Sequence, residues 1–255
     1  MALFTDNTIS TLEDLTAQDA TVLDVAAAEG VDVTRKMALA RDELEMELTT
    51  LLTKSMSYDL PLVPGYGPSV SSVTVTPPLQ LWHTFRTLEL VYRDAFNNQL
   101  NDRYSGQRDQ YHDLAKWAVE KLMQTGIGIV ANPVAQAAAP GLEASAGALA
   151  EGTYYVTMAW VNPSGGEGAS GAATTIQLGE GSGFTVQPGS APANAAGWNV
   201  FVGTSPDGMV QQNAALLDPG QAWAQSAVPR AAGRGPGMGQ APSYLKPAPR
   251  ILQRG

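Results

Sequence analysis

Two histidines, His83 and His112, are the imidazole side chains that a metal site or a proton-transfer site could use together with carboxylates, and the chain contains no cysteine. A metal site needs His, Cys or carboxylate ligands that converge at defined spacings. Glu89 lies six residues after His83, and Glu120 lies eight residues after His112. Neither spacing is typical of a ligand pair. We therefore expect two ordinary helix side chains, on the surface or partly buried, and no metal or cofactor.

Motifs for nucleophilic or nucleotide chemistry do not occur in the sequence. No G-x-S-x-G elbow and no P-loop is present. The Gly-x-Gly triplets at 65–67 and 126–128 neither follow a predicted strand nor open a helix. The acidic run at 42–47 projects its carboxylates to different sides of a helix and predicts a solvated face. The sequence thus predicts a protein that is not an enzyme, and the alternative is an enzyme with a β accessory domain.

Aromatic and basic residues alternate along one predicted helix and the turn after it, a pattern that also occurs where proteins stack on nucleic acid. The aromatic residues recur at three- and four-residue steps, which favours a helix core, and nearby aspartates cancel the basic charge. Nucleic-acid binding remains the alternative. The residues are Trp82, Phe85, Tyr92, Phe96 and Tyr104, with Arg86, Arg93 and Arg103 between them.

The charge of the chain is divided into three sections. The net charge of −9 over 255 residues comes from −8 in residues 1–126, −6 in 127–228 and +5 in 229–255. An acidic body binds nucleic acid poorly, because affinity for phosphate depends on Lys and Arg. The sequence has no secretory leader pattern and no apolar run long enough for a membrane span. The absence of cysteine fits folding in a reducing cytosol.

Residues 1–130 predict an all-α helical bundle. Ser10 and Glu13 have capping-box spacing, Asp32 is placed to cap a second helix, and Thr76-Pro77 is typical of a helix start. Apolar residues recur at helical spacing through four predicted helices, the last of which ends at Gly126. The irregular loop 55–75 interrupts this pattern, either as a partner-binding loop or as a surface loop packed on its own apolar residues.

Residues 131–228 predict a linker followed by a β-sandwich. The Ala/Gly/Pro-rich segment 131–151 reads as a linker, or as an extended segment lying along a neighbour. Short strands are then expected over 152–228, at 154–161, 172–178, 183–187, 197–202, 209–217 and 221–227. Strands at intervals of about 8–12 residues favour a sandwich. In the strand at 197–202, Trp198, Val200 and Val202 should face the core, and 205–208 should turn.

Residues 229–255 form a basic, Gly- and Pro-rich extended tail. It has too few apolar residues for a core of its own, so we expect it to be ordered only by a partner. The candidate partner contacts are Arg230, Arg234, Tyr244, Lys246, Arg250 and Arg254. The chain as a whole is therefore a multidomain α + β protein, with a helical domain, a β domain and an extended C-terminal arm.

Two sections resemble proteins of tailed bacteriophages. The segments GTYYVTMAWVNPSGGEG (152–168) and GWNVFVGTSPDG (197–208) resemble the Ig-like and fibronectin type III modules of phage structural proteins. The helical section, with LELVYRDAFNNQLNDRY (88–104), looks like the small adaptor proteins of the head-to-tail connector, by overall pattern rather than by a diagnostic set of residues.

This resemblance implies a virion structural protein, made in the host cytoplasm and located at the neck of the particle. It implies a homo-oligomeric ring, by resemblance a dodecamer, that contacts the portal and the tail or neck proteins and passes DNA without binding it specifically. A negatively charged lumen would repel the phosphates of DNA and so suit such a conduit. The same negative net charge is also expected of a protein that is acidic simply because it is soluble. The alternative is a decoration or tail-fibre protein whose sandwich binds host-surface glycans. Trp223 is its candidate contact residue, with core packing as the competing interpretation.

Overall fold

The computed structural model describes residues 1–6, 9–56, 68–99 and 102–246. It has α-helices over its N-terminal part and antiparallel sheets over its C-terminal part, so the chain is a mixed α+β protein. The chain divides into two compact units. The helical unit comprises Asn7–Ile129 and Ser243–Gly255, and the β unit comprises Met1–Asp6 and Val130–Pro242.

The described part of the helical unit contains five α-helices and one small sheet. The helices are α1 Leu12–Gln18, α2 Val22–Glu29, α3 Val33–Met56, α4 Pro77–Gln99 and α5 Ser105–Thr125. Strand β1 (Ile127–Ile129) pairs antiparallel with β9 (Ser243–Leu245). None of these helices has the length and apolar character needed to cross a membrane.

Helix starts in this unit follow local sequence signals, with one shift. Asp32 Oδ1 accepts from the Arg35 N–H at 3.1 Å, and α4 begins at Pro77 as predicted. The predicted cap at Ser10 is wrong by one residue. Thr11 caps α1 and forms the capping box with Asp14, because the Ser10 hydroxyl bonds to a distant histidine instead. The first of the four predicted helices divides into α1 and α2 at Asp19.

The long helices α3 and α4 contribute to the core of this unit in different ways. Helix α4 is buried on nearly all sides from Trp82 to Tyr92, where only Arg86 is partly exposed, whereas α3 buries one face. Leu44, Leu48 and Leu52 of α3 are buried, as the three- and four-residue spacing predicts. The predicted loop 55–75 is shorter at its start, since α3 runs to Met56. Val70–Ser72 form one 3₁₀ turn, and residues 57–67 of this prediction lie outside the described residues.

The β unit has two antiparallel sheets. One has the order β2-β5-β8, and the other has the order β4-β3-β6-β7. The strands are β2 Gly141–Leu149, β3 Gly152–Val161, β4 Thr174–Leu178, β5 Ser182–Gln187, β6 Gly197–Gly203, β7 Val210–Gln211 and β8 Trp223–Gln225. Both sheets contribute to one hydrophobic core, with Phe184 and Val186 from the first and Val156, Trp160 and Trp198 from the second.

The linker prediction for 131–151 needs correction, because its second half is strand β2. Residues 141–146 pair with 182–187 of β5 in continuous register. Alanine, glycine and serine have low β propensity, so the composition hides a strand that tertiary pairing creates. Gly147 is required where this strand meets β5, since a Cβ atom there would lie 2.6 Å from the Ser182 carbonyl oxygen.

The predicted alternation along β6 is confirmed. Trp198, Val200 and Val202 belong to the main core, whereas Phe201 faces the other side of the sheet with Ala159 and Met209. Residues 206–208 form the expected turn. The strand predicted at 209–217 is too long, because only Val210–Gln211 pair as β7, and Leu217 makes an isolated bridge to Trp198.

The tail prediction also needs correction where the tail is described. Residues 229–242 belong to the β unit, and we call this segment the strap. Residues 243–245 form β9. These residues are held by contacts within their own chain, so no partner is needed to order them. Arg250 and Arg254 lie outside the described residues.

Candidate interaction site in the C-terminal segment

The strap is fixed to the outer face of the four-stranded sheet by one arginine. Arg234 Nη1 donates to Glu167 Oε1 at 2.6 Å, and Nη2 donates to Oε2 at 2.7 Å. Such a two-point pair is stronger and more directional than a single ionic contact. Only 12% of the Glu167 side chain is exposed, against 51% for Arg234. These hydrogen bonds from the guanidinium to the Glu167 carboxylate raise the pKa of Arg234.

A row of side-chain amides fixes the orientation of the Glu167 carboxylate. Asn199 Nδ2 donates to Glu167 Oε2 at 2.8 Å. The Asn199 oxygen in turn accepts from Asn213 Nδ2 at 2.8 Å and from Gln211 Nε2 at 3.1 Å. Because each amide is held by the next, the sheet fixes one oxygen of the carboxylate through Asn199, and the strap adds the two hydrogen bonds from Arg234.

An aromatic ring completes the site. The guanidinium carbon of Arg234 lies 5.5 Å from the centroid of the buried Phe201 ring, within cation–π range. Arg234 Nη2 also donates to Gln211 Oε1 at 3.2 Å. The backbone adds a further contact, as the Gln211 N–H donates to the Arg234 carbonyl at 2.9 Å. The arrangement thus contacts the charge, the plane and the backbone of one arginine residue.

Further polar contacts hold the strap on either side of Arg234. The Arg230 N–H donates to Gln212 Oε1 at 2.8 Å. Toward the other end, the Ser170 N–H donates to the Gly237 carbonyl at 3.2 Å, and Gln240 Oε1 accepts from the Val134 N–H at 2.9 Å. Polar contacts therefore run along the strap, whereas its apolar residue Met238 is 83% exposed.

The structure places the other predicted contact residues separately. The Arg230 side chain is exposed, Tyr244 lies half-exposed in β9, and Lys246 follows that strand and is exposed. Trp223, the candidate for glycan contact, is partly buried and packs against the main core of the β unit. Of the described candidates, Arg234 is the one that enters an organised site.

Sequence reasoning missed Glu167 entirely. The residue lies in a glycine-rich turn, where an isolated acidic side chain is expected to be exposed to solvent. One signal was available: residues 127–228 contain six acids and no base, and the first bases after them are in the strap. Charge complementarity between these two stretches of sequence could have indicated the contact.

Both histidines are hydrogen-bonded within the helical unit. His83 Nε2 lies 3.0 Å from the Met37 carbonyl oxygen, which can only accept. Nδ1 of a neutral ring therefore accepts from the Ser10 hydroxyl, at 2.5 Å. Burial lowers the pKa of His83 and favours this neutral form. This hydrogen bond connects the start of α1 to α4. Ser10 and His83 are both buried, so neither side chain is accessible to a substrate from solvent.

His112 belongs to a charged network that joins three helices. Its Nδ1 lies 3.1 Å from Glu89 Oε1, and the other oxygen of Glu89 accepts from Arg86 at 2.6 Å. Arg86 also donates to Glu43 Oε2 at 2.5 Å. The acidic run of α3 is therefore only partly a solvated face. Asp42, Glu45 and Glu47 are exposed as predicted, but Glu43 pairs with α4.

Asp19 organises a second polar centre at the junction of α1 and α2. Its Oδ2 accepts from Tyr92 Oη at 2.5 Å and from Tyr111 Oη at 3.0 Å, and its Oδ1 accepts from Thr21. Burial raises the pKa of the Asp19 carboxyl, but the hydrogen bonds from Tyr92, Thr21 and Tyr111 outweigh burial and lower the pKa. Burial and the Asp19 hydrogen bond raise the pKa of Tyr92 to about 12.

Comparison with known proteins gives no family for this chain. No protein-family model matches it, and a search of curated proteins finds no match.

Proposed function

We propose that the chain is a structural subunit of the head-to-tail connector of a tailed bacteriophage. In this proposal the helical unit is a bundle that forms the wall of a homo-oligomeric ring, and the β unit is an Ig-like sandwich attached to that wall. The ring joins the portal to the tail or neck proteins.

One observation supports this proposal most. A unit of five helices is followed by a unit of two antiparallel sheets with a shared core, the order that the phage resemblance implies. The polar groups described above also hold segments of the chain to one another. Ser10 with His83, Asp19 with two tyrosines, and Glu167 with Arg234 all serve this purpose.

The acidic charge of the helical section is compatible with a conduit for DNA. Residues 1–126 carry a net charge of −8. Repulsion between an acidic lumen and the phosphate backbone would let DNA pass without adhering. Among the described basic residues of the tail, Arg230 and Lys246 are exposed and are the candidates for docking on portal or neck proteins, whereas Arg234 is paired with Glu167. DNA is not the expected partner of Arg230 and Lys246.

The proposal is tested by imaging the purified full-length chain, alone and with its portal protein, by electron microscopy and native mass spectrometry. The expected result is closed rings of a single stoichiometry, stabilised or nucleated by the portal. A chain that stays monomeric at high concentration with the portal present would contradict the proposal.

A further inference from the structure

We propose that Glu167, Asn199, Phe201 and Gln211 form a recognition site for an arginine in an extended segment. In this chain the strap's own Arg234 fills the site, and the strap of a second copy can fill it in exchange. The site itself does not depend on the proposed function. The exchange between copies rests on that function, since it requires that copies meet in an assembly.

The sheet supplies the residues that organise the site. Its carboxylate is oriented by the Asn199 amide at 2.8 Å, and Asn199 is held by Asn213, also at 2.8 Å. These residues belong to β6 and to the segments next to the sheet, and none belongs to the strap. Removal of the strap therefore leaves an oriented carboxylate beside an aromatic face, the combination that binds guanidinium groups.

The ligand of this site is an arginine together with its own backbone carbonyl. A lysine could supply charge, but it lacks the planar fork that meets both oxygens of Glu167, at 2.6 and 2.7 Å. The Arg234 carbonyl accepts from the Gln211 N–H at 2.9 Å, so β7 also contacts the main chain of the ligand. A Cβ atom at Gly235 would lie 3.7 Å from the Met209 carbonyl oxygen, at ordinary van der Waals distance, so the site does not require glycine there.

The strap is suited to exchange because most of its residues are exposed, among them Met238 at 83%. Segments with few buried apolar contacts open at lower free energy than the rest of a domain. A second copy offers the same ligand and the same site, so exchange re-forms the contacts of Arg234 with Glu167, Phe201 and Gln211.

Local concentration decides between the two arrangements. A strap attached to its own β unit competes at an effective concentration of the order of millimolar. In free subunits the site should therefore be filled by the subunit's own strap. In an assembly the local concentration of neighbouring straps reaches the millimolar range, so the strap of a neighbour can compete for the site.

The site is tested first with R234A, in which the chain cannot fill it. The probe is a synthetic peptide of residues 229–242, and its binding is measured by calorimetry. We expect R234A to bind this peptide at least tenfold more tightly than a matched peptide with alanine at 234, and E167Q/R234A to lose the preference. Circular dichroism verifies folding, and R234M, which keeps the aliphatic length but carries no charge, replaces R234A if the latter is unfolded. Equal binding of both peptides would overturn the site.

Exchange is tested by mixing R234A with E167A. The first variant offers a vacant site, and the second offers a strap whose own site is destroyed. Light scattering should detect a mixed dimer that neither variant forms alone. The control is a mixture of R230A with E167A, which should not form this dimer because the site of R230A is already filled by its own Arg234. If R234A binds the peptide but no mixed species forms, exchange between copies is refuted. Neither result depends on whether rings form, so failure here is distinguishable from failure of the connector proposal.

Discussion

Replacement of Asp19 by asparagine tests the polar centre that joins the start of the helical unit to α4 and α5. The carboxylate accepts from Tyr92 and Tyr111 with one oxygen and from Thr21 with the other. Asparagine has one acceptor oxygen, so it can serve Thr21 or the tyrosines but not both. Its NH₂ group would then face hydroxyls that have lost their acceptor.

The magnitude follows from these contacts. A hydrogen bond to a charged group contributes about 1.5–3 kcal/mol when buried. Asp19 is only partly buried, so we take about 1 kcal/mol for each tyrosine bond, and D19N should lower the free energy of unfolding by about 2 kcal/mol. Urea unfolding followed by circular dichroism at 222 nm measures it, because this signal comes mainly from the helices.

The matched control is the double variant Y92F/Y111F, which removes both donors. In that background D19N should cost less than half of its effect in the natural chain, because the bonds it breaks are already absent. A cost below about 0.5 kcal/mol in the natural chain, or an equal cost in both backgrounds, would refute the reasoning.

Three further predictions concern single positions. The hydrogen bonds that lower the pKa of Asp19 stabilise the fold above the pKa of the unfolded carboxyl, and this stabilisation is lost as pH falls through the lower pKa of the folded chain. The natural chain and D19N should therefore converge in stability as pH falls below the ordinary aspartate pKa of 3.8. Gly147→Val should destabilise the β unit by more than about 2 kcal/mol, because a side chain would collide with the Ser182 carbonyl oxygen, whereas Gly220→Ala, with no neighbour within 4 Å, should be nearly neutral. Trp198→Ala removes a fully buried core side chain and should cost about 3–5 kcal/mol in thermal or urea unfolding.

These predictions have separate criteria for failure. If the stability difference between the natural chain and D19N persists unchanged to pH 2, the effect of D19N comes from packing and not from the charge of Asp19. Equal melting temperatures for Gly147→Val and Gly220→Ala would contradict the crowding at residue 147. A loss below 1 kcal/mol for Trp198→Ala would mean that the side chain is not in the core.

Features with a local cause were predictable from the sequence. The start of α4 at Pro77 and the cap at Asp32 depend on residues within one turn. The two faces of β6 follow from alternation of side chains along a strand. The shift of the first cap from Ser10 to Thr11 shows the limit, because the Ser10 hydroxyl is engaged by His83, 73 residues away.

The interaction site was largely hidden for the same reason. Arg234 was a candidate by charge, but its carboxylate partner Glu167 lies 67 residues earlier, and no local pattern joins the two. Strand β2 was missed because its alanine, glycine and serine residues carry no β signal, and its pairing with β5 is determined only by the folded sheet.

The central claim, a place in the head-to-tail connector, is tested most directly by locating the protein on assembled phage particles. Tailed-phage particles that contain the chain, labelled with a gold-conjugated antibody against it, are examined by electron microscopy. We expect label at the vertex between head and tail, and particles lacking the protein should show heads without attached tails. Label on tail fibres or over the capsid surface, or normal tailed particles without the protein, would contradict it.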